Sequence, residues 1–153
     1  KVHLGDVESI FKGKESLFDL VCLFDVLEHL DLKELIEMLG TTARLLKNYG
    51  RVIARFPNGA SPFGRVHQYG DATHKSTLSG PIMEDIVPLV GLKVLSVQNS
   101  ARSIKSGRHR YPILKKFAYF VRDIIQAVIG YLYFGENIPM DPSITVILGK
   151  QNQ

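Results

Sequence analysis

The segment FDLVCLFDVLEH, Phe18–His29, decides the fold of this chain. Leu17–Phe24 is a nearly continuous apolar run, which is typical of a strand buried on both faces of a sheet. Three polar residues follow it directly: Asp25, Glu28 and His29. The segment therefore predicts a buried strand that ends in a polar cluster. The single cysteine, Cys22, lies inside the run, and we expect it to be a buried small hydrophobe.

A helix and a second strand follow the polar cluster. Asp31 and Glu34 have the spacing of a capping box, and apolar residues recur behind them at helical spacing. Asn48 and Gly50 predict the end of that helix. Residues 51–56 read as a strand stopped by a Pro-Asn-Gly turn. Strand, helix and strand with short joints form a βαβ unit, so we expect the two strands to be parallel.

The rest of the chain supplies further elements of the same kind. Residues 57–79 predict a long polar loop, and a loop of that length in a compact domain is usually functional. Ser79 is expected to cap a helix over 81–90 that Gly91 closes. Residues 92–97 and 143–148 read as the last two strands. The predicted fold class is α/β, and the 153 residues are expected to form one domain.

An insertion at 101–134 precedes the last strand. Residues 101–112 are basic and polar, and 113–134 predict an apolar helix with a narrow polar stripe. The stripe contains Lys115, Lys116, Arg122, Asp123 and Gln126. The wide apolar face is typical of a helix packed on its domain or at a dimer interface. The alternative is a helix that rests on a membrane surface or contacts a lipid-linked substrate. Five polar positions argue against a membrane span.

Charge restricts the classes of partner. The formal net charge is +4, and much of the excess lies between 102 and 116. The basic residues there are Arg102, Lys105, Arg108, Arg110, Lys115 and Lys116. They indicate a solvated loop or a contact with an anionic partner. Aromatic residues do not interleave with them, so nucleic acid is not expected as a partner. A lone cysteine favours a reducing compartment, and we expect a cytoplasmic protein.

Polar groups follow three predicted strand ends. They are Gly5-Asp6, the cluster that begins at Asp25, and Pro57-Asn58. In open α/β sheets, ligands bind beyond the carboxyl ends of the strands. Acidic side chains there can accept hydrogen bonds from an amine or a ribose hydroxyl. The sequence thus predicts a ligand site at this edge of the sheet.

These motifs resemble class I S-adenosylmethionine-dependent methyltransferases. FDLVCLFDVLEHL, a helix, and then LLKNYGRVIARFPNG follow the order of that family's central part. GDVESIF at the start is similar to the end of the family's third strand. GDATHKSTLS resembles a segment of bacterial methyltransferases that act on sugars and cell-surface glycans. Tyr49 replaces one of the family's usual glycines.

The resemblance implies a partial Rossmann-like sheet. The family order is 3-2-1-4-5-7-6, with the last strand antiparallel, and this chain would hold strands 3 to 7. The glycine-rich turn after strand 1, which holds part of the cofactor, has no counterpart here. Strand 4 would then be an exposed edge, which invites pairing with a second copy. We therefore expect the chain either to form a homodimer, through that edge or through the 113–134 helix, or to bind the cofactor weakly.

The resemblance also implies a cofactor and residues that contact it. The cofactor is S-adenosylmethionine. Asp6 matches the position that accepts the adenine amine, and Val7 the adjoining backbone contact. Phe24 and Asp25 match the strand end that lines the methyl-donor region. Asp6 could instead be a simple turn residue, and Asp25 a residue that starts a helix.

Glu28 and His29 have three readings. They could be structural, or His29 could be a general base, since histidine titrates near neutral pH. Some quinone-directed relatives hold a divalent metal with a similar set, which here would be Asp25, Glu28 and His29. His67 and His74, on the long loop, are further candidates for base catalysis or for binding sugar hydroxyls.

Three functions are compatible with these features. The first is O-methylation of a sugar, a glycan or a lipid-linked acceptor by a methyltransferase, for which the cofactor supplies the electrophile. The second is another Rossmann-like nucleotide-dependent enzyme, such as a dehydrogenase. The third is a non-catalytic methyltransferase fold that binds a partner through its insertion.

Overall fold

The computed structural model describes residues 7–100 and 112–151. Four strands form one sheet: β1 Phe18–Phe24, β2 Leu46–Pro57, β3 Leu92–Asn99 and β4 Ser143–Lys150. Their order is β1-β2-β4-β3. β1 and β2 are parallel, and β4 is antiparallel to both β2 and β3. This is the order that the resemblance implied for strands 4-5-7-6, so the predicted partial Rossmann-like sheet is confirmed.

Two of the expected features lie outside the described residues. One is the short strand that was expected near residue 4, together with Asp6. The other is most of the basic segment of the insertion, including Arg102 and Arg110.

Within residues 7–100 and 112–151, five helices accompany the sheet. They are α1 Val7–Ile10, α2 Leu32–Leu45, α3 Arg65–Tyr69, α4 Gly80–Ile86 and α5 Pro112–Phe134, with 3₁₀ turns at Leu27–His29 and Val87–Val90. The capping box of α2 is present, because Asp31 Oδ1 accepts from Glu34 N at 2.9 Å and Glu34 Oε2 accepts from Asp31 N at 2.8 Å. Gly91 ends the predicted 81–90 helical segment in the left-handed conformation, with φ of +73°. The expected 57–79 loop contains the short helix α3.

Helix α2 ends earlier than the sequence indicated. It stops at Leu45, and β2 begins at Leu46, so the predicted helix end at Asn48–Gly50 is wrong. Phe18 pairs with Leu46 and Leu20 with Arg51, so the intervening β2 residues form an irregularity in the pairing. A Cβ on Gly50 would lie 2.7 Å from the Leu46 side chain. Gly50 therefore permits a close approach within the strand and is no helix terminator.

The hydrophobic core lies between the sheet and the helices α2 and α4. Its sheet side includes Val52, Phe56 and Val146, which are fully buried. Its helix side includes Leu39 and Met83, also fully buried. Burial of a side chain of this size stabilises the fold by roughly 1.5–3 kcal/mol. This packing fixes the carboxyl ends of β1 and β2, where the polar cluster lies.

The expectation that β1 is buried on both faces is wrong for the described residues. Leu23 belongs to the core, whereas Leu20 and Phe24 are half exposed and Cys22 is exposed. Alternate residues of a strand point to opposite faces, so Leu20, Cys22 and Phe24 share the face that turns away from the core. Among the described residues, β1 pairs only with β2 and lies at the edge of the sheet.

Helix α5 confirms the predicted helix in the insertion but not the packing of its apolar face on the domain. Arg122 and Gln126 contact the domain, whereas Phe117, Ile124 and Val128 are exposed. By length and composition, Ile113–Phe134 could also cross a membrane, with a mean hydropathy of 1.2 and 6% of its most apolar stretch buried.

Candidate functional site

A pocket of about 580 Å³ opens at the carboxyl ends of β1 and β2. β1 ends immediately before Asp25, and β2 ends at Pro57. The third wall comes from the segment that begins with α3. The pocket brings together most of the predicted site residues: Asp25, Glu28, His29, His67 and His74 all line it, as do Arg55, Asp71, Ser100 and Ser143.

Asp25 is held by Arg55 on the neighbouring strand. Its φ of +54° is unusual for a residue with a side chain. The Asp25 amide donates to the Arg55 carbonyl at 2.9 Å. Arg55 Nε donates to Asp25 Oδ1 at 3.2 Å, and a terminal nitrogen bonds the other carboxylate oxygen. This pairing raises the pKa of the Arg55 guanidinium, which also lies 5.4 Å from the centre of the Phe24 ring.

The 3₁₀ turn Leu27–His29 is fastened to the loop that follows α3. The Glu28 carbonyl accepts from the amides of Lys75 and Ser76, at 2.9 and 3.1 Å. The Ser76 hydroxyl donates to the Leu30 carbonyl at 2.5 Å. These bonds explain why two loops far apart in sequence place their histidines side by side.

His29 is linked to Asp71 through Thr73. The Thr73 hydroxyl donates to Asp71 Oδ1 at 2.6 Å, since a carboxylate can only accept. The same hydroxyl oxygen lies 2.9 Å from His29 Nδ1, and the Thr73 carbonyl lies 3.3 Å from it. Both oxygens therefore accept from Nδ1–H. A neutral His29 consequently carries its proton on Nδ1 and its lone pair on Nε2.

Asp71 is suited to stabilise that arrangement. The Thr73 hydroxyl and the Thr73 amide both donate to its carboxylate and lower its pKa. Asp71 therefore stays ionised over the whole range in which a histidine titrates.

His74 has the same tautomer for the same reason. Its Nδ1 lies 3.0 Å from the Gln68 carbonyl, which can only accept. The two imidazole rings meet edge to face, with centroids 4.8 Å apart and an interplanar angle of 67°. His29 and His74 thus each present an unprotonated Nε2 when they are neutral.

Glu28 is the buried acid of the cluster. Its side chain is 1% exposed, and its Oε2 has no hydrogen-bond partner among the described residues. Loss of hydration raises the pKa of this carboxyl, and the nearby Asp25 charge raises it further. A hydrogen bond from the Glu28 amide and the nearby His29 and His74 lower that pKa.

The structure brings together three possible metal ligands, but they are not the three residues that the sequence suggested. One ligand atom from each of Glu28, His29 and His74 lies within 4.8 Å of the others. Asp25, which the sequence grouped with Glu28 and His29, is engaged by Arg55 instead. Two imidazoles and a carboxylate are chemically able to bind a transition-metal ion.

The residues implied for S-adenosylmethionine fit one edge of such a cofactor. Phe24 offers a half-exposed ring at the end of β1, and Asp25 offers a carboxylate beside it. Val7 begins α1, and Asp6 lies outside the described residues. The Phe24 ring and the Asp25 carboxylate both hold a cation in this structure, the Arg55 guanidinium. Phe24 and Asp25 would line the region near the methyl donor, whose sulfonium is also a cation.

Several site residues escaped sequence reasoning. Arg55 reads as an ordinary polar position within a strand, and Thr73 as an ordinary loop residue. The signal for Thr73 was its place in an Asp-x-Thr-His run, since a hydroxyl two residues after an aspartate often closes a turn. Asn58, in the predicted Pro-Asn-Gly turn, fixes that turn by accepting from Ala60 N at 3.2 Å and donating to the Pro139 carbonyl at 3.0 Å.

No protein-family model matches the sequence, and no curated protein sequence gives a significant match. Solved structures do match. An S-adenosylmethionine-dependent methyltransferase from Archaeoglobus fulgidus aligns with 95% of this chain and 66% of its own, at a TM-score of 0.64 and 18% identity. One from Thermotoga maritima aligns with 97% of this chain and 62% of its own, at a TM-score of 0.58 and 17% identity.

A third structure extends the comparison. The mitomycin 7-O-methyltransferase aligns with 95% of this chain and 32% of its own, at a TM-score of 0.54 and 12% identity. The chain thus spans between about a third and two thirds of the length of these three proteins. Identities this low establish the fold alone. Together with the strand order β1-β2-β4-β3, these structural matches show that the chain has the fold of class I S-adenosylmethionine-dependent methyltransferases, as its motifs predicted.

Proposed function

We propose that this chain forms the acceptor side of an S-adenosylmethionine-dependent methyltransferase that methylates a hydroxyl of a sugar, a glycan or a lipid-linked acceptor. The observation that carries the proposal is the His29–Thr73–Asp71 chain of hydrogen bonds in the pocket. A hydroxyl oxygen must lose its proton when it is methylated, and these residues supply an oriented base for it.

The cofactor, when bound, supplies an electrophilic methyl group on a sulfonium sulfur. His29 Nε2 accepts the proton of the acceptor hydroxyl while the oxygen gains the methyl group. Nδ1–H stays on the ring, held by the Thr73 oxygens. Asp71 then stabilises the resulting imidazolium through Thr73, in the way that a carboxylate orients and stabilises a catalytic histidine elsewhere.

The rim of the pocket supports an acceptor rich in hydroxyl groups. His67, Asp71, Ser100 and Ser143 all line the pocket. The serines and His67 can donate or accept a hydrogen bond, and the Asp71 carboxylate can accept one. The volume of about 580 Å³ is within the range of pockets that bind small molecules, roughly 300–1,000 Å³.

Equilibrium binding tests the proposal and separates it from its rivals. The full-length protein is titrated with S-adenosylhomocysteine by isothermal calorimetry and, separately, with NADH by fluorescence. We expect saturable binding of S-adenosylhomocysteine and no binding of NADH. NADH binding alone would assign the site to a dehydrogenase. Binding of neither at high micromolar concentration would favour a non-catalytic module and contradict the proposal.

A further inference from the structure

A helix that packs on a soluble domain turns its apolar face to the protein and its polar face to solvent, whereas α5 does the reverse. Gln126 Oε1 accepts from Asn99 Nδ2 at 2.8 Å and from the Met140 amide at 3.2 Å. Gln126 Nε2 donates to Asn137 Oδ1 at 3.0 Å. One turn earlier, Arg122 pairs with the buried Asp141. Arg122 and Gln126, two members of the polar stripe, therefore face the protein.

The opposite face of α5 is apolar and uncovered in the described part of the chain. Its apolar side chains recur at helical spacing and are each 48–82% exposed: Ile113, Phe117, Phe120, Ile124, Val128 and Tyr131. At 100° per residue, their mean direction lies roughly 160° from that of Tyr119, Arg122 and Gln126. An apolar stripe of this length indicates an interaction surface.

The positive charge at the N-terminal end of α5 indicates which kind of partner covers its apolar face. Between residues 101 and 116 the sequence has six lysines and arginines and no acidic residue. Lys115 and Lys116 carry this charge into the first turns of α5. A second copy of the chain, aligned in parallel, would bring the same positive charge to this end of the helix. An anionic membrane surface complements both the charge and the apolar face.

The contacts of α5 also determine its orientation. At 1.5 Å per residue, the helix is about 35 Å long, enough to cross a bilayer. However, Arg122 and Gln126, in its middle, are bonded to residues at the ends of the sheet. A spanning orientation would carry those polar groups and the sheet into hydrocarbon, where unsatisfied backbone groups are costly.

We infer that α5 lies flat in the interfacial region of an anionic membrane, with its apolar face in the lipid. The insertion leaves the sheet at Ser100 and returns at Ser143, and both residues line the pocket. The insertion that carries α5 therefore joins the sheet at the wall of the pocket. If the proposed function holds, its acceptor is a lipid-linked sugar whose head group rises from that surface. Membrane binding itself does not depend on the proposed function.

Fluorescence tests the inference directly, because the protein contains no tryptophan. Phe120→Trp places one on the exposed face of α5, and Tyr49→Trp places one at a site that is 91% exposed on the sheet irregularity. The full-length variants are mixed with vesicles of phosphatidylcholine, with or without phosphatidylglycerol. We expect a blue shift and quenching by brominated lipid for Phe120→Trp with the anionic vesicles, weakened by salt, and no change for Tyr49→Trp.

Flotation with the same vesicles measures how strongly the protein partitions onto the membrane. Replacing Phe120, Ile124 and Val128 together by serine should lower the partition coefficient by at least about tenfold, because three apolar side chains no longer leave water for lipid. Replacing the exposed Leu32 and Leu89 by serine is the matched control and should leave it unchanged. Folding is checked by circular dichroism.

Three results would overturn the inference. The first is equal emission of Phe120→Trp with and without vesicles. The second is a lipid-free dimer, measured by analytical ultracentrifugation, that the triple serine variant abolishes, which would assign the face to a second copy. The third is resistance of the membrane-bound protein to extraction by alkaline carbonate, which would indicate a spanning helix. Failure of S-adenosylhomocysteine binding would affect only the proposed function.

Discussion

The imidazole of His29 and the carboxylate of Asp71 are joined through one hydroxyl. Thr73 Oγ1 lies 2.9 Å from His29 Nδ1 and 2.6 Å from Asp71 Oδ1. Because the hydroxyl has a single proton and the carboxylate must receive it, the imidazole has to be the donor on the other side. This directionality leaves Nε2 of a neutral His29 free to accept a proton from a substrate.

Breaking this link should slow methyl transfer without altering cofactor binding. Asp71→Asn removes the charge that stabilises the imidazolium, and Thr73→Val removes the hydroxyl. Each should lower kcat by less than the loss of His29 itself, which general-base catalysis places at roughly 10²–10⁴-fold. Thr73→Ser is the matched control and should retain activity. Unchanged kcat in both Asp71→Asn and Thr73→Val would show that the hydrogen-bond chain is only structural.

The buried carboxyl of Glu28 should make stability depend on pH. Its folded-state pKa is raised above the ordinary value of 4.5, chiefly by loss of hydration. The folded protein therefore holds this proton more tightly than the unfolded chain, and the stability contribution is lost as pH rises through the folded pKa. In urea unfolding measured from pH 4.5 upward, Glu28→Gln should lose less stability than the wild type. Parallel pH profiles would contradict this prediction.

Replacing Asp25 should weaken cofactor binding more than it lowers the stability of the fold. Its ion pair with Arg55 is half exposed, and such pairs contribute about 0–1 kcal/mol to stability. Asp25→Asn tolerates the positive φ, since asparagine is favoured there. We expect S-adenosylmethionine, which has a sulfonium cation, to bind this variant about tenfold more weakly, as loss of an interaction with a charged group implies, with little change in Tm. Asp19→Asn, in an exposed pair with Lys47, is the control.

The base mechanism and the metal hypothesis for the same cluster differ in their response to a chelator. Glu28, His29 and His74 have ligand atoms within 4.8 Å of one another. If His29 acts as a base, dialysis against EDTA should leave turnover unchanged, and added Zn²⁺ should inhibit by occupying Nε2. Loss of activity on dialysis that Zn²⁺ or Mn²⁺ restores would assign the cluster to a catalytic ion instead.

Much of the fold could be predicted because its signals are local. The capping box of Asp31 and Glu34 and the apolar run before Asp25 depend on spacings of a few residues. The sheet order required the family resemblance in addition. The end of α2 was misjudged because Asn48 and Gly50 are typical of both helix ends and strand irregularities.

The candidate site was predictable only in part. Its location at the strand ends follows from the topology, and His29, His67 and His74 do line one pocket. The contact between His29 and Thr73 joins residues 44 positions apart, and no local pattern encodes it. The orientation of α5 also depends on distant partners, because a helical wheel gives two faces but does not say which one meets the protein.

The most direct test of the account is transfer of labelled methyl groups from S-adenosylmethionine to a membrane glycolipid fraction by the full-length protein. The account predicts label in glycolipid that resists mild alkali, as a methyl ether does and a methyl ester does not. It further predicts that His29→Gln lowers the transfer rate by roughly 10²–10⁴-fold while S-adenosylhomocysteine still binds. A wild-type transfer rate in His29→Gln, or cofactor binding without any methyl transfer to oxygen, would contradict the account.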